Sequence, residues 1–372
     1  MVKIVSYLKI YMFKFNDLKS IHVEITTRCQ ASCPMCSRNH HGGLRNPNLK
    51  INDWSIGDFR QIFTHEVLFQ LESIYFCGNF GDPIINNDLI EMCKYSSEIN
   101  PGLNIRIHTN GGARNSQWWK NLYYALPKNH VVIFGIDGLE DTHHLYRIGT
   151  TYEQVINNAR TFISEGGIAE WVFIKFKHNE HQVDEAQQRS QKEGFNIFTV
   201  KNSTRFLEPK FSVYDKQGNT IYFLEPPTDN KVKLIDKKLI EGFNKWYKQA
   251  NIECYVQQTK EVYIDATKTM FPCCFLASTP YNYFDNKSDV APIREKIKTQ
   301  YNDLVSYFGG VENLDLSNRS IKEIINSQQW SQAWDIYWGE KKLITCARTC
   351  GRNDLNPISQ PKDQFIQKIT FK

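Results

Sequence analysis

The sequence predicts an α/β protein: an open or partial (β/α) barrel followed by a smaller α+β domain. Three observations carry this. In the first 200 residues, short apolar stretches alternate with segments long enough for crossover helices, the pattern of parallel βα units. After residue 205 that alternation gives way to hairpins. The ten cysteines are unevenly placed, three at 29–36 and five in the last third.

The N-terminal stretch MVKIVSYLKIYMFKF is interrupted by Lys3, Lys9 and Lys14. It reads as an amphipathic segment packing on the domain, not as a secretory signal. Strands are predicted over residues 21–26, 73–77, 104–109, 131–136, 171–176 and 197–200. Between them, residues 87–99 place Leu89, Met92, Cys93 and Ser96 on one helical face. Residues 152–165 do the same with Val155, Ile156, Ala159 and Phe162. Residues 211–214 and 220–224 flank Lys216-Gln-Gly-Asn219 as a hairpin, and Pro226-Pro227 then breaks the chain. A helix is expected over 239–248, and a second hairpin over 261–265 and 269–273. Ser317 or Ser320 is placed to cap a helix reaching Ile325. The resulting domains are 1–205, a hairpin and linker at 206–240, and 241–372.

Charge and composition narrow the function classes. The 45 Lys and Arg against 40 Asp and Glu give +5, and the basic residues are scattered, which argues against a nucleic-acid binder. No apolar run reaches 18 residues, so no membrane span is expected. In a cytoplasmic, reducing setting the ten cysteines are metal-binding, catalytic or buried in preference to disulfide-paired.

Cys29-Gln-Ala-Ser-Cys33-Pro-Met-Cys36 follows the strand IHVEIT directly. It therefore sits in a loop at a strand's C-terminal end, where (β/α) barrels carry their chemistry. Structural zinc sites usually take four ligands; three thiolates on a four-iron cubane leave one iron open. The spacing C-x3-C-x2-C after the first strand resembles the signature of the radical S-adenosylmethionine (radical SAM) superfamily. That resemblance implies a partial (β/α)6 radical SAM barrel and a [4Fe–4S] cluster on Cys29, Cys33 and Cys36. It also implies SAM on the open iron, cleaved to a 5′-deoxyadenosyl radical that abstracts hydrogen.

Later motifs extend the resemblance. Gly78-Asn-Phe-Gly-Asp-Pro83 is similar to the family's glycine-rich SAM motif, which implies that Gly78, Asn79, Gly81 and Asp82 hold the methionine end. Thr109 and Asn110, in His108-Thr-Asn-Gly111, are weaker candidate contacts, as is Asp137 in Phe134-Gly-Ile-Asp-Gly138. Gly135 stands where the family often has serine. Arg147 resembles a family arginine that pairs with the SAM carboxylate, as a bidentate guanidinium can. Lys175 either faces ribose or substrate or snorkels. His143 and His144 are read as surface histidines, and Cys77 and Cys93 as core residues.

Cys254, the hairpin ending Phe271-Pro-Cys-Cys274, and Cys346-Ala-Arg-Thr-Cys350 resemble the Twitch and SPASM extensions of that superfamily. Five cysteines fit a Twitch-like domain with one auxiliary [4Fe–4S] cluster on Cys254, Cys273, Cys346 and Cys350, leaving Cys274 as a spare or buried thiol. Lys268 stands where the family pattern has glycine. A zinc site on the same four cysteines is the competing reading, since residue type alone does not separate the two.

The resemblance implies hydrogen abstraction from a peptide or polar small molecule, with oxidation or cross-linking through the auxiliary cluster. It also implies a low-potential donor such as flavodoxin or ferredoxin. The polar stretch 279–310, with Tyr281, Tyr283, Arg294 and Tyr301, is the candidate lid. The roughly 20 residues before the first strand leave no room for a separate peptide-recognition domain. The rivals are an RNA-modifying radical SAM enzyme and a non-catalytic, zinc-stabilised binding module.

Overall fold

A computed structural model describes residues 12–203, 205–206, 208–229, 243–245, 247–281, 291–352 and 365–371. Its centre is a sheet whose strands are β1 (Ser20–Val23), β2 (Ser73–Cys77), β3 (Asn104–Thr109), β4 (His130–Gly135), β5 (Ala169–Lys175) and β6 (Ile197–Asn202). These six run parallel in sequence order, so all their C-terminal ends lie along one edge. This is the predicted partial barrel. Helices Leu89–Ile99 and Tyr152–Ser164 bury the residues that the helical spacing selected, Cys93 included.

The hairpin of β7 (Phe211–Tyr214) and β8 (Thr220–Leu224) forms as predicted. It docks on the cysteine loop: Val213 and Leu224 share a buried cluster with Ala31, Cys33, Met35 and Tyr146. His41 stacks between Phe211 and Tyr214, with ring centroids 4.3 and 4.6 Å away. A short pair follows, β9 (Asn251–Ile252) with β12 (Gly351–Arg352). It ties the segment before Cys254 to the chain just after Cys350.

The central sheet does not stop at β1. Strand β10 (Glu261–Ile264) pairs with β1 in parallel, and β11 (Met270–Phe271) pairs with β10 antiparallel. At the other edge β13 (Phe365–Thr370) pairs with β6 antiparallel. The second hairpin thus lies on the same sheet as the barrel strands, and one buried apolar cluster runs through both regions. Ser320, and not Ser317, caps the helix Ile321–Ile325, in a box with Glu323. Among the described residues no helix is long and apolar enough to cross a membrane.

The tip of the second hairpin explains a departure from the family pattern. Lys268 has φ +67°, the left-handed region. Glycine occupies that region without the roughly 1–2 kcal/mol that a Cβ costs. Lys268 is tied down by its N–H to the Asp265 carbonyl at 3.0 Å and by an ion pair with Asp58. Lys268→Gly and Lys268→Ala both lose that ion pair, so their difference isolates the backbone. The glycine variant is expected to be more stable by about 1 kcal/mol, read from paired thermal or denaturant unfolding. Equal stability would mean that the turn relaxes freely.

Three segments hold expectations that fall on undescribed residues. Residues 1–11 of the N-terminal segment, 239–242 and 246 of the expected helix, and Tyr283 of the candidate lid lie outside the described residues. Within the N-terminal segment, Met12, Phe13 and Phe15 are buried in the core.

Candidate functional site

The loops leaving β1 to β4 meet at the C-terminal edge of the sheet. Cys33 is buried, and Cys29 and Cys36 are half-buried. Each thiol faces a polar group from a neighbouring loop. Asn110 Nδ2 donates to Cys29 Sγ at 3.5 Å, Arg147 Nη1 lies 3.9 Å from Cys33 Sγ, and Cys36 donates to the Asn79 carbonyl at 3.7 Å. The structure therefore brings residues after all four strands to one triplet of thiols. Burial raises the pKa of Cys33 to about 11 against the pull of Arg147. Cys29 is raised by burial and then by the nearby Asp82, Cys33 and Cys36. A metal centre that replaces those protons would remove this penalty.

The 78–83 loop is built around two tight approaches. A Cβ on Gly81 would fall on the Thr26 carbonyl oxygen, and one on Gly78 would fall on the Gly81 carbonyl. Gly81 is thus required by the chain itself: it lets this loop lie against the start of the cysteine loop, where Asp82 N–H meets the Arg28 carbonyl at 2.8 Å. Asp82 is 4% exposed, and both of its oxygens are used internally. Oδ2 accepts from Thr109 Oγ1 at 3.0 Å and Asn110 N–H at 2.8 Å, and Oδ1 from Ile84 N–H at 3.2 Å. Thr109 is itself buried and accepts from Gly111 N–H. Asp82 and Thr109 accordingly fix the positions of Asn110 and the glycine loop.

Asp137 and Arg147 form a buried ion pair, Nε to Oδ2 at 2.6 Å, with side chains 0% and 14% exposed. Ile174 N–H donates to the other carboxylate oxygen at 2.6 Å. Burial pushes Asp137 up, opposed first by Arg147. Burial would lower Arg147, but Asp137 more than reverses it, and the guanidinium stays charged. The absence of serine at 135 has a steric reason, since a Cβ there would collide with Arg147 Nη2.

Sequence reasoning missed Glu24. Its buried carboxylate accepts from Phe80 N–H at 3.2 Å and from Tyr263 OH, 239 positions away. Burial raises its pKa to about 7. The available signal was a charged residue inside an apolar strand. Three other expectations are corrected. Lys175 pairs with Asp229 at 2.6 Å. His143 is buried, its Nε2 2.9 Å from Thr150 Oγ1, whereas His144 is exposed. Cys77 is half-buried on the sheet face away from the helices, not in the core. Of the candidate lid, Tyr281 reaches the site, its ring 4.9 Å from that of Phe80. Arg294 and Tyr301 lie on the helix Ala291–Tyr307.

The second group of cysteines lines one small, partly open cavity. Cys254, Cys273, Cys346 and Cys350 all line it, with Tyr255, Trp334 and other apolar neighbours, and Cys274 does not. Cys346 and Cys350 sit one turn apart on the helix Ile344–Cys350, which puts both on one face. A hydrogen bond from Cys254 outweighs burial and holds the Cys350 thiol below its usual value; burial raises Cys273 to about 12. Among the described residues no three His, Cys, Asp or Glu side chains are grouped as ligands of a single ion. Cys273→Ser should disturb whatever the cavity holds, and Cys274→Ser should not. Metal content and the visible absorption of the two purified variants check this, and the reverse result would mean the hairpin register is wrong by one.

No protein-family model matches the chain, and no curated protein matches it. Solved structures do. anSMEcpe with bound AdoMet and Kp18Cys peptide is 14% identical, with a TM-score of 0.50 over 93% of this chain and 92% of that one. BtrN in complex with AdoMet and 2-DOIA is 11% identical, with a TM-score of 0.43 over 94% and 98%. SuiB of Streptococcus suis bound to S-adenosylmethionine is 14% identical, with a TM-score of 0.46 over 70% of this chain and 61% of SuiB, so the chain spans less than two thirds of that protein. The fold is the partial barrel of radical SAM enzymes.

Proposed function

We propose that this chain is a radical SAM enzyme that abstracts hydrogen from a peptide or a polar small molecule. The observation that carries the reading is the meeting of the Cys29, Cys33 and Cys36 thiols with the loops after β2, β3 and β4. The donor set fits a [4Fe–4S] cluster with an open iron: three thiols, two of them facing side-chain N–H donors that favour the thiolate form. A bound, reduced cluster supplies the electron for one-electron cleavage of SAM.

The chain's own residues do the rest. Cys29, Cys33 and Cys36 would hold that cluster, and Asn110 and Arg147 direct N–H groups at two of the sulfurs. Gly78, Asn79 and Gly81 shape the surface that would receive the methionine end of SAM, and Asp82 and Thr109 lock that surface in place. Arg147, held by Asp137, presents a fixed positive charge beside Cys33, where a carboxylate is attracted. Cys254, Cys273, Cys346 and Cys350 would hold an auxiliary [4Fe–4S] cluster in their cavity, a route for the electron left on substrate and so for oxidation or cross-linking. A low-potential donor such as a flavodoxin or ferredoxin would reduce the enzyme. The reading of a peptide substrate draws support from the Kp18Cys peptide bound by anSMEcpe.

The test is anaerobic purification with iron, sulfide and zinc analysis, then reduction with dithionite in the presence of SAM. The expected products are methionine and 5′-deoxyadenosine. Zinc as the sole metal, with intact SAM, would overturn the enzyme reading in favour of a zinc-stabilised module.

A further inference from the structure

The sheet has two unlike faces. On one, Ile74, Phe76, Ile105, Ile107, Trp171 and Phe173 are fully buried in the apolar cluster that includes the helices. The residues between them point to the other, inner face, as the two-residue period of a strand requires. That face is polar where it passes below the cysteine loop. Tyr75 and Arg106 are register partners on β2 and β3, as are Cys77 and His108. Tyr75 OH lies 2.9 Å from His108 Nδ1, and the Arg106 guanidinium lies over the Tyr75 ring, 5.5 Å from its centroid.

Arg106 is exposed on this inner face and makes no ion pair or side-chain hydrogen bond among the described residues. Its neighbours add to its field. The pKa of His108 is pushed well below the usual imidazole value by burial and then by Lys201, Arg147 and Arg106, so three cations act at that point. The acids of this face take their hydrogen bonds from other groups; of them, Glu261 feels the charge of Arg106, as the last and smallest of the causes acting on it. Glu24 and Glu261 are bonded to Tyr263 and Phe80, and to Ser20 and Tyr255, and burial raises both. Glu170, 3% exposed, accepts from Thr199 Oγ1 at 2.7 Å and leaves its other oxygen without a partner among the described residues.

His108 and Arg106 precede Asn110 by two and four positions on β3. At about 3.3 Å per residue they stand roughly 7 and 13 Å below the cysteine loop, the reach of a small polar molecule or a few extended peptide residues. Resting on the function proposed above, we infer that this inner face is the substrate site and that it takes a carboxylate-bearing substrate. Arg106 receives the carboxylate, and neutral His108, oriented by Tyr75, accepts or donates one hydrogen bond. A guanidinium with open donors suits that group because it can bind both oxygens at once. The carboxylate could belong to a free small molecule or to an acidic residue of a peptide, and the probes separate these sources.

The experiment uses the reconstituted, SAM-loaded protein and saturation-transfer NMR with two matched probe pairs. One pair is N-acetylglycine and N-acetylglycinamide. The other is a short peptide capped at both ends with a central glutamate, and its glutamine counterpart. In at least one pair the acid is expected to bind roughly tenfold or more tighter than the amide, the factor that one charge-assisted hydrogen bond supports. The pair that discriminates names the source. Arg106→Gln should abolish the preference and Arg106→Lys should keep part of it, while iron content and SAM affinity stay at wild-type values. Equal binding of acid and amide in both pairs overturns the inference, as does a preference that survives Arg106→Gln. Failure of the enzyme reading looks different: no iron on the cysteine loop and no SAM cleavage, whatever the probes do.

Discussion

Replacing Cys29, Cys33 and Cys36 together by alanine should remove about half of the iron that the reconstituted protein holds and all of its SAM cleavage. Two cubanes bring on the order of eight irons per chain. The two cysteine groups share no ligand, so the losses are separable. The variant should still fold. Cys29 and Cys36 are half-buried, Cys33 is 8% exposed, and burial keeps the Cys29 and Cys33 thiols away from ionisation in the absence of metal. The complementary variant, Cys254, Cys346 and Cys350 to alanine, should keep SAM cleavage without substrate and lose the other half of the iron. Iron analysis alongside 5′-deoxyadenosine quantification reads both arms. Unchanged iron in the first variant would mean that the triplet is not a cluster site.

What the sequence disclosed, it disclosed through short-range pattern. The strands and the two helices with three- and four-residue spacing were legible because each element writes its own period. The cysteine loop was legible because eight residues hold all three thiols and the strand before them fixes their place. Contacts across long separations were not. Nothing in IHVEIT announces that Glu24 meets Tyr263, or that β1 carries β10 on its free side. β13 was missed because FIQKIT pairs two apolar residues with two polar ones and lacks the two-residue period, and a lone segment does not name its partner strand. Lys175 was legible as a lysine near a strand end, but its partner Asp229 lies 54 positions on. His143 was misplaced because a histidine between polar neighbours looks solvated; only the fold brings Thr150 to its ring. Two departures from family pattern, Gly135 and Lys268, became intelligible once the guanidinium of Arg147 and the left-handed turn were in view. Both are properties of backbone and space that residue type alone does not encode.

Asp137→Ala should cost about 3–5 kcal/mol of folding stability, the range found when one partner of a buried ion pair is removed. The carboxylate is 0% exposed and holds the Arg147 guanidinium and the Ile174 N–H, both at 2.6 Å. Its loss strands a charge that is 14% exposed and leaves a backbone donor without an acceptor. Arg147 Nη1 then keeps its contact with Cys33 Sγ, at 3.9 Å. Asp137→Asn keeps an acceptor for Ile174 and removes only the charge, so its cost should be smaller. The double variant Asp137→Ala, Arg147→Met should recover a large part of the loss, because two apolar groups replace a broken pair. Denaturant unfolding of the wild type, Asp137→Ala, Arg147→Met and the double variant gives this cycle directly. Additive losses in the double variant would mean that Asp137 and Arg147 act separately, and the fixed charge beside Cys33 would then need another support. If they act as a pair, the double variant restores stability without restoring SAM affinity. That split assigns Arg147 to the ligand and Asp137 to holding Arg147 in place.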